Sequence, residues 1–190
     1  MTTPDGMQLV FSAAQIDARV RALAARIAQD CQGAPIVLLV VLKGAILFAA
    51  DLMRHLHGEV LIDFLVVSSY AADGRPSGEV RVLHAPVTDL VGRHVILVDE
   101  IVDTGRTAAA LLARCVLGRG AASVRVCTLL DKAAARVVPV RIDYAAFEAP
   151  DLWLVGYGMD SDGFGRNLPD IYAVPRVADA GAGDGGAGDE

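Results

Sequence analysis

Residues 95–107 read VILVDEIVDTGRT, and this stretch decides what kind of fold the chain adopts. Four apolar residues of strand type run directly into two adjacent carboxylates, Asp99 and Glu100. A third carboxylate, a small hydroxyl-rich turn and then a segment of helical type follow. Carboxylates crowded at the end of a buried strand repel one another and are costly to desolvate. The arrangement therefore indicates a ligand-binding turn between a strand and a helix.

The rest of the chain alternates between segments of the same two types. Apolar runs without a polar face are typical of parallel sheets covered by helices on both sides. The sequence therefore predicts an α/β fold, an open, mostly parallel twisted sheet flanked by helices, with ligands outside the carboxyl ends of the strands. The predicted strands are residues 36–42, 60–70, 79–85, 94–98, 123–130, 140–150 and 152–158, the predicted helices are 12–31 (with Ser12 as N-cap), 45–56 and 107–118, and residues 71–79 form a mobile loop.

Composition excludes several classes of protein. A chain of 190 residues fits one domain, and a net charge of −6 with 5% aromatic residues argues against nucleic acid as a partner. Cys31, Cys115 and Cys127 are widely spaced in apolar surroundings, which predicts reduced thiols. No apolar run reaches the roughly 20 residues that span a bilayer, and the first residues lack a signal peptide pattern. We expect a cytoplasmic protein that does not enter the membrane.

The turn after the opening strand has the chemistry of a phosphorylated ribose site. A helix N-terminus offers unpaired N–H groups to a phosphate, Gly105 permits close backbone approach, and Thr104 and Thr107 add hydroxyl donors. Carboxylates accept hydrogen bonds from sugar hydroxyls. The alternative is that Asp103 and Thr104 only cap the helix, which would explain one carboxylate and not three.

This stretch resembles the phosphoribosyl pyrophosphate (PRPP) binding motif of the type I phosphoribosyltransferases, and its DTG form is similar to that of the hypoxanthine-guanine branch. The resemblance covers roughly residues 9–177. It implies a single domain over residues 1–177, with a core at about 34–150 and a small hood from about 1–12 and 150–177. Residues 178–190 have no hydrophobic group larger than alanine and are expected to form a disordered acidic tail.

The resemblance implies which residues hold PRPP. Asp99 and Glu100 match the acidic pair that contacts the ribose hydroxyls and Mg²⁺, the implied cofactor. Asp103 matches the group that faces the purine N7 and assists proton removal. The residues implied at the 5′-phosphate are Asp103, Thr104, Gly105, Arg106 and Thr107.

Two other stretches match parts of the family that enclose PRPP. VLKGA resembles the pyrophosphate loop, so Lys43 and Gly44 would present amides to pyrophosphate, often with a cis peptide bond at Leu42–Lys43. SSYAADGRPSGEV resembles the family's flexible loop, with Ser69 and Tyr70 as its Ser-Tyr pair. That loop would close over PRPP and exclude water.

The last part of the chain matches the family's purine segment. Lys132 corresponds to the lysine that donates to the 6-oxo group, which should reject the 6-amino group of adenine. Trp153 would stack on the base, and Leu154 would read the purine edge with its backbone. Asp160 corresponds to a carboxylate that helps to hold Mg²⁺, and Arg166 to an arginine that contacts pyrophosphate.

One departure from the family pattern is visible. The family commonly has Glu before Asp where this chain has Asp99 and then Glu100. Both orders keep two acceptors for the ribose hydroxyls, so we expect a shift in PRPP or magnesium affinity and retained activity.

The resemblance implies a 6-oxopurine phosphoribosyltransferase of purine salvage. Such an enzyme converts hypoxanthine and/or guanine with PRPP to IMP or GMP and pyrophosphate, and the family commonly forms homodimers or homotetramers. Two alternatives stay open. One is a xanthine-preferring enzyme with the same chemistry, and the other is a non-catalytic regulator on the same fold that binds PRPP or RNA.

Overall fold

The structure, a computed structural model, describes residues 6–70 and 76–174. The predicted acidic tail and the tip of the predicted flexible loop, residues 71–75, lie outside the described residues. Within the described part of the chain, no helix is both long and apolar enough to cross a membrane.

Strands and helices alternate along most of the described chain. Two short turns accompany them, a π-helical turn at Leu112–Val116 and a 3-10 turn at Ala133–Ala135. In chain order the elements are β1 Gln8–Phe11, α1 Ala13–Cys31, β2 Ile36–Leu42, α2 Ile46–His55, β3 Val60–Tyr70, β4 Pro76–His84, β5 His94–Val102, α3 Arg106–Leu111, β6 Ser123–Asp131, β7 Tyr144–Glu148, β8 Trp153–Val155 and β9 Ile171–Val174.

The core is a six-stranded sheet with the order β4-β3-β2-β5-β6-β7. Every neighbouring pair is parallel except β3 and β4, which form an antiparallel pair at one edge. From β2 the chain first adds β3 on one side, and later places β5 on the other. The strand order therefore reverses between β2 and β5, and ligands bind such sheets in the crevice at this switch point.

Helices cover both faces of this sheet because the central strands are apolar on both faces. Alternate residues of β2, such as Leu38 and Val40, pack in a core beneath α1 and α2. The intervening residues, such as Val37 and Leu39, pack beneath α3. The predicted open, mostly parallel sheet flanked by helices is confirmed.

The hood is a small antiparallel sheet with the order β1-β9-β8, which joins the two ends of the described chain. Asp170, next to β9, accepts a hydrogen bond from the backbone N–H of Ala13 at 2.7 Å, at the start of α1. Ser12 caps the same helix in a capping box with Gln15, as the sequence predicts. These contacts anchor the hood to the core.

Several predicted boundaries are wrong, and strand pairing explains most of them. β5 continues past its predicted end at Val98 to Val102, because it remains paired with β6 there. β4 begins at Pro76, inside the predicted loop 71–79, because it pairs with the end of β3. The predicted strands 140–150 and 152–158 shrink to the short β7 and β8.

Two other elements differ from the sequence prediction. The predicted helix 107–118 begins at Arg106 and changes to a π-helical turn after Leu111, with Leu117 as its C-cap. β1 and β9 lie in stretches for which the sequence predicted no strand, although it predicted a hood there.

Candidate active site

The site lies at the switch point, where the chain leaves β2 and β5. β2 and β5 are paired in register, so the turn that follows β2 lies beside the acidic end of β5. A Cβ atom on residue 44 would overlap with the carboxylate of Glu100, so a side chain there would displace that carboxylate from its position beside the turn. The peptide bond between Leu42 and Lys43 is cis, as the resemblance implies.

Asp99 is a buried carboxylate and Glu100 a half-buried one, and neither has a cation among its hydrogen-bonding partners in the described part of the chain. Asp99 is 6% exposed and accepts a hydrogen bond from the backbone N–H of Glu100 at 3.0 Å. Oε2 of Glu100 is buried and has no hydrogen-bond partner among the described residues. Burial, and then the neighbouring charge of Glu100, raise the pKa of Asp99 well above its ordinary value. Burial likewise raises the pKa of Glu100. Such a pair fits a ligand that brings hydroxyl donors or a cation.

A first cavity of about 280 Å³ extends from these carboxylates to the start of α3. The N-cap of α3 is Gly105, with φ of 81°, and the Asp103 side chain is exposed. A side chain at Gly105 would also collide with the carbonyl oxygen of Val138, so the turn needs glycine on two grounds. The predicted residues that line this cavity are Asp99, Glu100, Asp103, Thr104, Gly105 and Thr107.

A second cavity of about 180 Å³ adjoins the first and shares Glu100, Ile101 and Asp103 with it. Its other predicted lining residues are Lys132, Trp153, Leu154 and Asp160. The sequence therefore identified residues from three separate stretches that the fold brings together. Because the two cavities share this wall, two ligands that occupied them would lie next to each other beside Asp103.

Lys132 is held at the second cavity with little freedom. Its side chain is buried, and Nζ donates to the backbone carbonyl of Leu152 at 2.8 Å. The carboxylate of Asp151 lies 3.9 Å from Nζ. An ammonium group has three donors, so Lys132 can hold this carbonyl and still donate to a ligand. Trp153 is 51% exposed, which leaves part of its ring accessible at the cavity wall.

The third side of the site is formed by the turns after β8. Gly158 packs so closely on the carbonyl of Gly44 that a Cβ atom there would overlap with it. Arg166 donates to the carbonyl of Gly158 at 2.6 Å and pairs with Asp160 at 2.6 Å. Asp160 also accepts from the N–H of Gly163 at 2.8 Å. Arg166 and Asp160 are therefore fixed beside the turn that carries Lys43.

Some predicted residues take other positions. Arg106 lines neither cavity, and its side chain is exposed. Lys43 is exposed on the turn after β2. The backbones of Ser69 and Tyr70 form the end of β3, and their side chains lie outside the described part of the structure.

Arg136 lies near the site, although the sequence assigned it no role. The structure places its guanidinium behind the turn at residues 102–105, where it donates to backbone carbonyls. The only sequence signal was its position four residues after Lys132.

The described residues contain no group of three or more side chains arranged to hold a metal by themselves. Mg²⁺ commonly keeps several waters and binds one or two carboxylates together with substrate phosphates. The unpartnered Glu100 oxygen beside buried Asp99 fits that mode of binding.

Comparison with known proteins points to one family. The family model described as phosphoribosyl transferase domain matches residues 12–162. The chain is 38% identical over 169 residues to a hypoxanthine-guanine phosphoribosyltransferase of Streptococcus thermophilus, covering 89% of this chain and 93% of that protein. It is 39% identical over 162 residues to the enzyme of that name from Streptococcus mutans, covering 85% and 89% respectively.

Two solved structures are similar over nearly the whole chain. A hypoxanthine-guanine phosphoribosyltransferase of Bacillus anthracis matches with a TM-score of 0.81 and 38% identity, over 88% of this chain and 97% of that one. The hypoxanthine phosphoribosyltransferase of Trypanosoma cruzi in complex with its product IMP matches with a TM-score of 0.85 and 35% identity, over 94% and 100%.

Proposed function

The chain belongs to the phosphoribosyl transferase domain family, and we propose that it is a 6-oxopurine phosphoribosyltransferase of purine salvage. The reaction transfers the phosphoribosyl group of PRPP to hypoxanthine and/or guanine, giving IMP or GMP and pyrophosphate. The observation that carries the proposal is the pair of cavities that meet at Glu100, Ile101 and Asp103. One has the acidic pair and the glycine turn, and the other has a buried lysine and an accessible tryptophan.

PRPP occupies the first cavity in this proposal. The turn from Asp103 to Thr107 binds the 5′-phosphate with its backbone N–H groups and hydroxyls. Asp99 and Glu100 accept hydrogen bonds from the ribose hydroxyls. One of these bonds gives the unpartnered oxygen of Glu100 a donor. Lys43 and Gly44 present the amides of their turn to the pyrophosphate, and Arg166 adds a cation on the same side.

Magnesium is the proposed cofactor. Asp99, Glu100 and Asp160 are the carboxylates that would hold it together with the ligand. When bound, Mg²⁺ would neutralise negative charge on the departing pyrophosphate. Ser69 and Tyr70, at the end of β3, are proposed to belong to the loop that covers PRPP.

The purine occupies the second cavity in this proposal. Lys132 donates to the 6-oxo group while it still holds the carbonyl of Leu152. Trp153 covers the ring, and Leu154 contacts the purine edge through its backbone. Adenine is rejected because its 6-amino group would meet a donor where it needs an acceptor.

Asp103 is the proposed catalytic residue. Loosening of the bond between C1 of the ribose and pyrophosphate creates a cationic centre, which a purine nitrogen attacks from the opposite face. Asp103 lines both cavities and so lies between the sugar and the base. Its carboxylate faces N7 and accepts the proton that the purine loses.

Hypoxanthine and guanine fit the second cavity better than xanthine. Among the described residues that line it, Lys132 is the one cation, and the other charged groups are the carboxylates of Glu100, Asp103 and Asp160. A cavity with more carboxylates than cations favours an additional donor, such as the 2-amino group of guanine, over an additional acceptor. The additional 2-oxo group of xanthine would meet no second cationic donor.

We propose one domain over residues 1–177 that works in the cytoplasm without nucleic acid or membrane as a partner. A homodimer or homotetramer is proposed from the family, and one solved Trypanosoma cruzi structure concerns the role of the C-terminal region in oligomeric state and enzymatic activity.

A pyrophosphate release assay tests the function. The protein is incubated with Mg²⁺, PRPP and, in separate reactions, hypoxanthine, guanine, xanthine, adenine and uracil. We expect release with hypoxanthine and guanine, and background release with adenine and uracil. Preferential release with xanthine would favour the alternative specificity, and no release with any base would favour a non-catalytic regulator.

A further inference from the structure

Arg136 occupies a position that the proposed chemistry does not use directly. It follows the short turn Ala133–Ala135, and its side chain is 15% exposed. Its guanidinium pairs with the carboxylate of Asp131. The carboxylate thus compensates the positive charge of the half-buried guanidinium.

The same guanidinium donates to three backbone carbonyls. Nε donates to the carbonyl of Asp103 at 2.9 Å, and Nη2 donates to that of Val102 at 3.2 Å. Nη1 donates to the carbonyl of Val140 at 3.3 Å. The planar fork of arginine can serve several acceptors in one plane, which the single ammonium of lysine cannot.

The first two of these bonds are part of a row of hydrogen bonds that holds the carbonyls of residues 102–104. The carbonyl of Thr104 accepts from the N–H groups of Val137 and Val138, at 3.0 and 2.9 Å. Three consecutive carbonyls, those of residues 102–104, therefore face the segment that contains Arg136. In a trans peptide bond, the carbonyl of one residue and the N–H of the next residue point in opposite directions. The N–H groups of residues 103–105 are consequently directed away from Arg136.

Arg136 also connects the turn to the purine side of the site. The carbonyl of Val102, which it holds, accepts from the backbone N–H of Lys132 at 3.0 Å. Its ion-pair partner, Asp131, is the residue directly before Lys132. Arg136 thus fixes Asp103 and Lys132 relative to each other.

We propose that Arg136 is a positioning residue, which aligns the amides of residues 103–105 for the 5′-phosphate and sets the spacing between Asp103 and Lys132. This inference rests on the proposed function. Arg136 itself contacts no substrate, and acts through the turn that it holds.

The test compares ligand affinities in the full-length Arg136→Lys variant. Kd is measured by calorimetry for IMP, which carries the 5′-phosphate, and for magnesium pyrophosphate, which would bind on the opposite side of the site. We expect IMP to bind about 10- to 100-fold more weakly, the scale of losing one or two charge-assisted hydrogen bonds. The Kd for magnesium pyrophosphate should stay within about two-fold of its value in the unsubstituted protein, which is a much smaller change than that expected for IMP.

Arg141→Lys is the matched control, since the Arg141 side chain is 88% exposed and pairs with Asp143. It should leave both affinities unchanged. Asp131→Asn is a second, nearly isosteric variant, which removes the charge of the carboxylate that pairs with Arg136. It should weaken IMP binding in the same direction, and its effect should be non-additive with that of Arg136→Lys.

Three results would overturn the inference. They are unchanged IMP affinity in both variants, equal losses of IMP and pyrophosphate affinity, and additive effects of the two substitutions. Failure of the proposed function is distinguishable, because then the unsubstituted protein would release no pyrophosphate with any base.

Discussion

At the scale of single residues, the acidic pair shows a conflict between stability and ligand binding. Burial raises the pKa of both Asp99 and Glu100, which means that the folded protein disfavours their charged forms. One oxygen of Glu100 has no partner among the described residues. A ligand that supplies hydroxyl donors and a cation would relieve both penalties, so the site is destabilised until it is occupied.

Asp103 allows a direct test of the proposed chemistry. Asp103→Ala should lower kcat by about 10²–10⁴-fold, the usual scale for loss of a general base. PRPP affinity should be largely retained, because the backbone N–H groups of the turn remain. Steady-state kinetics with hypoxanthine, and calorimetry with PRPP and Mg²⁺, measure the two quantities. An unchanged kcat would mean that another group removes the proton.

At the scale of elements, a single carboxylate on β3 fixes the connection from β4 to β5. Asp63 is 7% exposed and accepts hydrogen bonds from the N–H groups of Phe64 at 2.7 Å, and of Val87 and Thr88 at 2.8 Å. Burial acts to raise its pKa, but the bonds from Thr88, Phe64 and Val87 outweigh burial, and the pKa lies below its ordinary value. The charged form therefore stabilises the fold.

This arrangement predicts a pH-dependent loss of stability in Asp63→Asn. The unfolding free energy should fall by about 1–3 kcal/mol at neutral pH, because an amide cannot accept all these bonds. A lowered folded-state pKa contributes stability above the unfolded-state pKa and loses it as the pH falls through the folded-state pKa. The difference between the two proteins should hence be full at pH 7 and shrink below about pH 4.

Denaturant unfolding at several pH values measures this difference. Glu59→Gln is the control, because Glu59 is exposed, and it should change stability by less than about 0.5 kcal/mol. A difference that stays constant from pH 7 to pH 3 would contradict the role assigned to the Asp63 charge.

At the scale of the whole molecule, the site exists only where three distant parts of the chain meet. The turn after β2, the end of β5 and the turns after β8 come together at Gly44, Glu100 and Gly158. The hood adds β1 from the other end of the described chain through its pairing with β9. Ligand binding at such a junction should stabilise the entire fold.

We expect PRPP with Mg²⁺ to raise the melting temperature. At a ligand concentration of about 100 times Kd, binding adds about 2.7 kcal/mol. For a domain of this size the melting temperature rises by roughly 2–4 °C for each kcal/mol of added stability, so we expect an increase of about 5–10 °C. Differential scanning fluorimetry measures the shift, with Mg²⁺ alone as the control. An equal shift from PRPP in the presence of a chelator would contradict a role for magnesium in binding.

The sequence by itself determined the features that depend on neighbouring residues. Helix α1 begins after Ser12 because the cap and the apolar spacing are local signals. β2 and β3 have the predicted bounds because their apolar runs are continuous. The resemblance likewise named several of the residues that line the two cavities, because short motifs of neighbouring residues carry them.

Only the tertiary structure decided the features that depend on distant partners. β1 and β9 are strands because they pair with each other, and β5 reaches Val102 because β6 continues beside it. The approach of Gly158 to Gly44 and the contacts of Arg136 join residues far apart in the chain. Hydrogen bonds between distant segments leave no periodic signal in either segment, so they become visible only when the chain is folded.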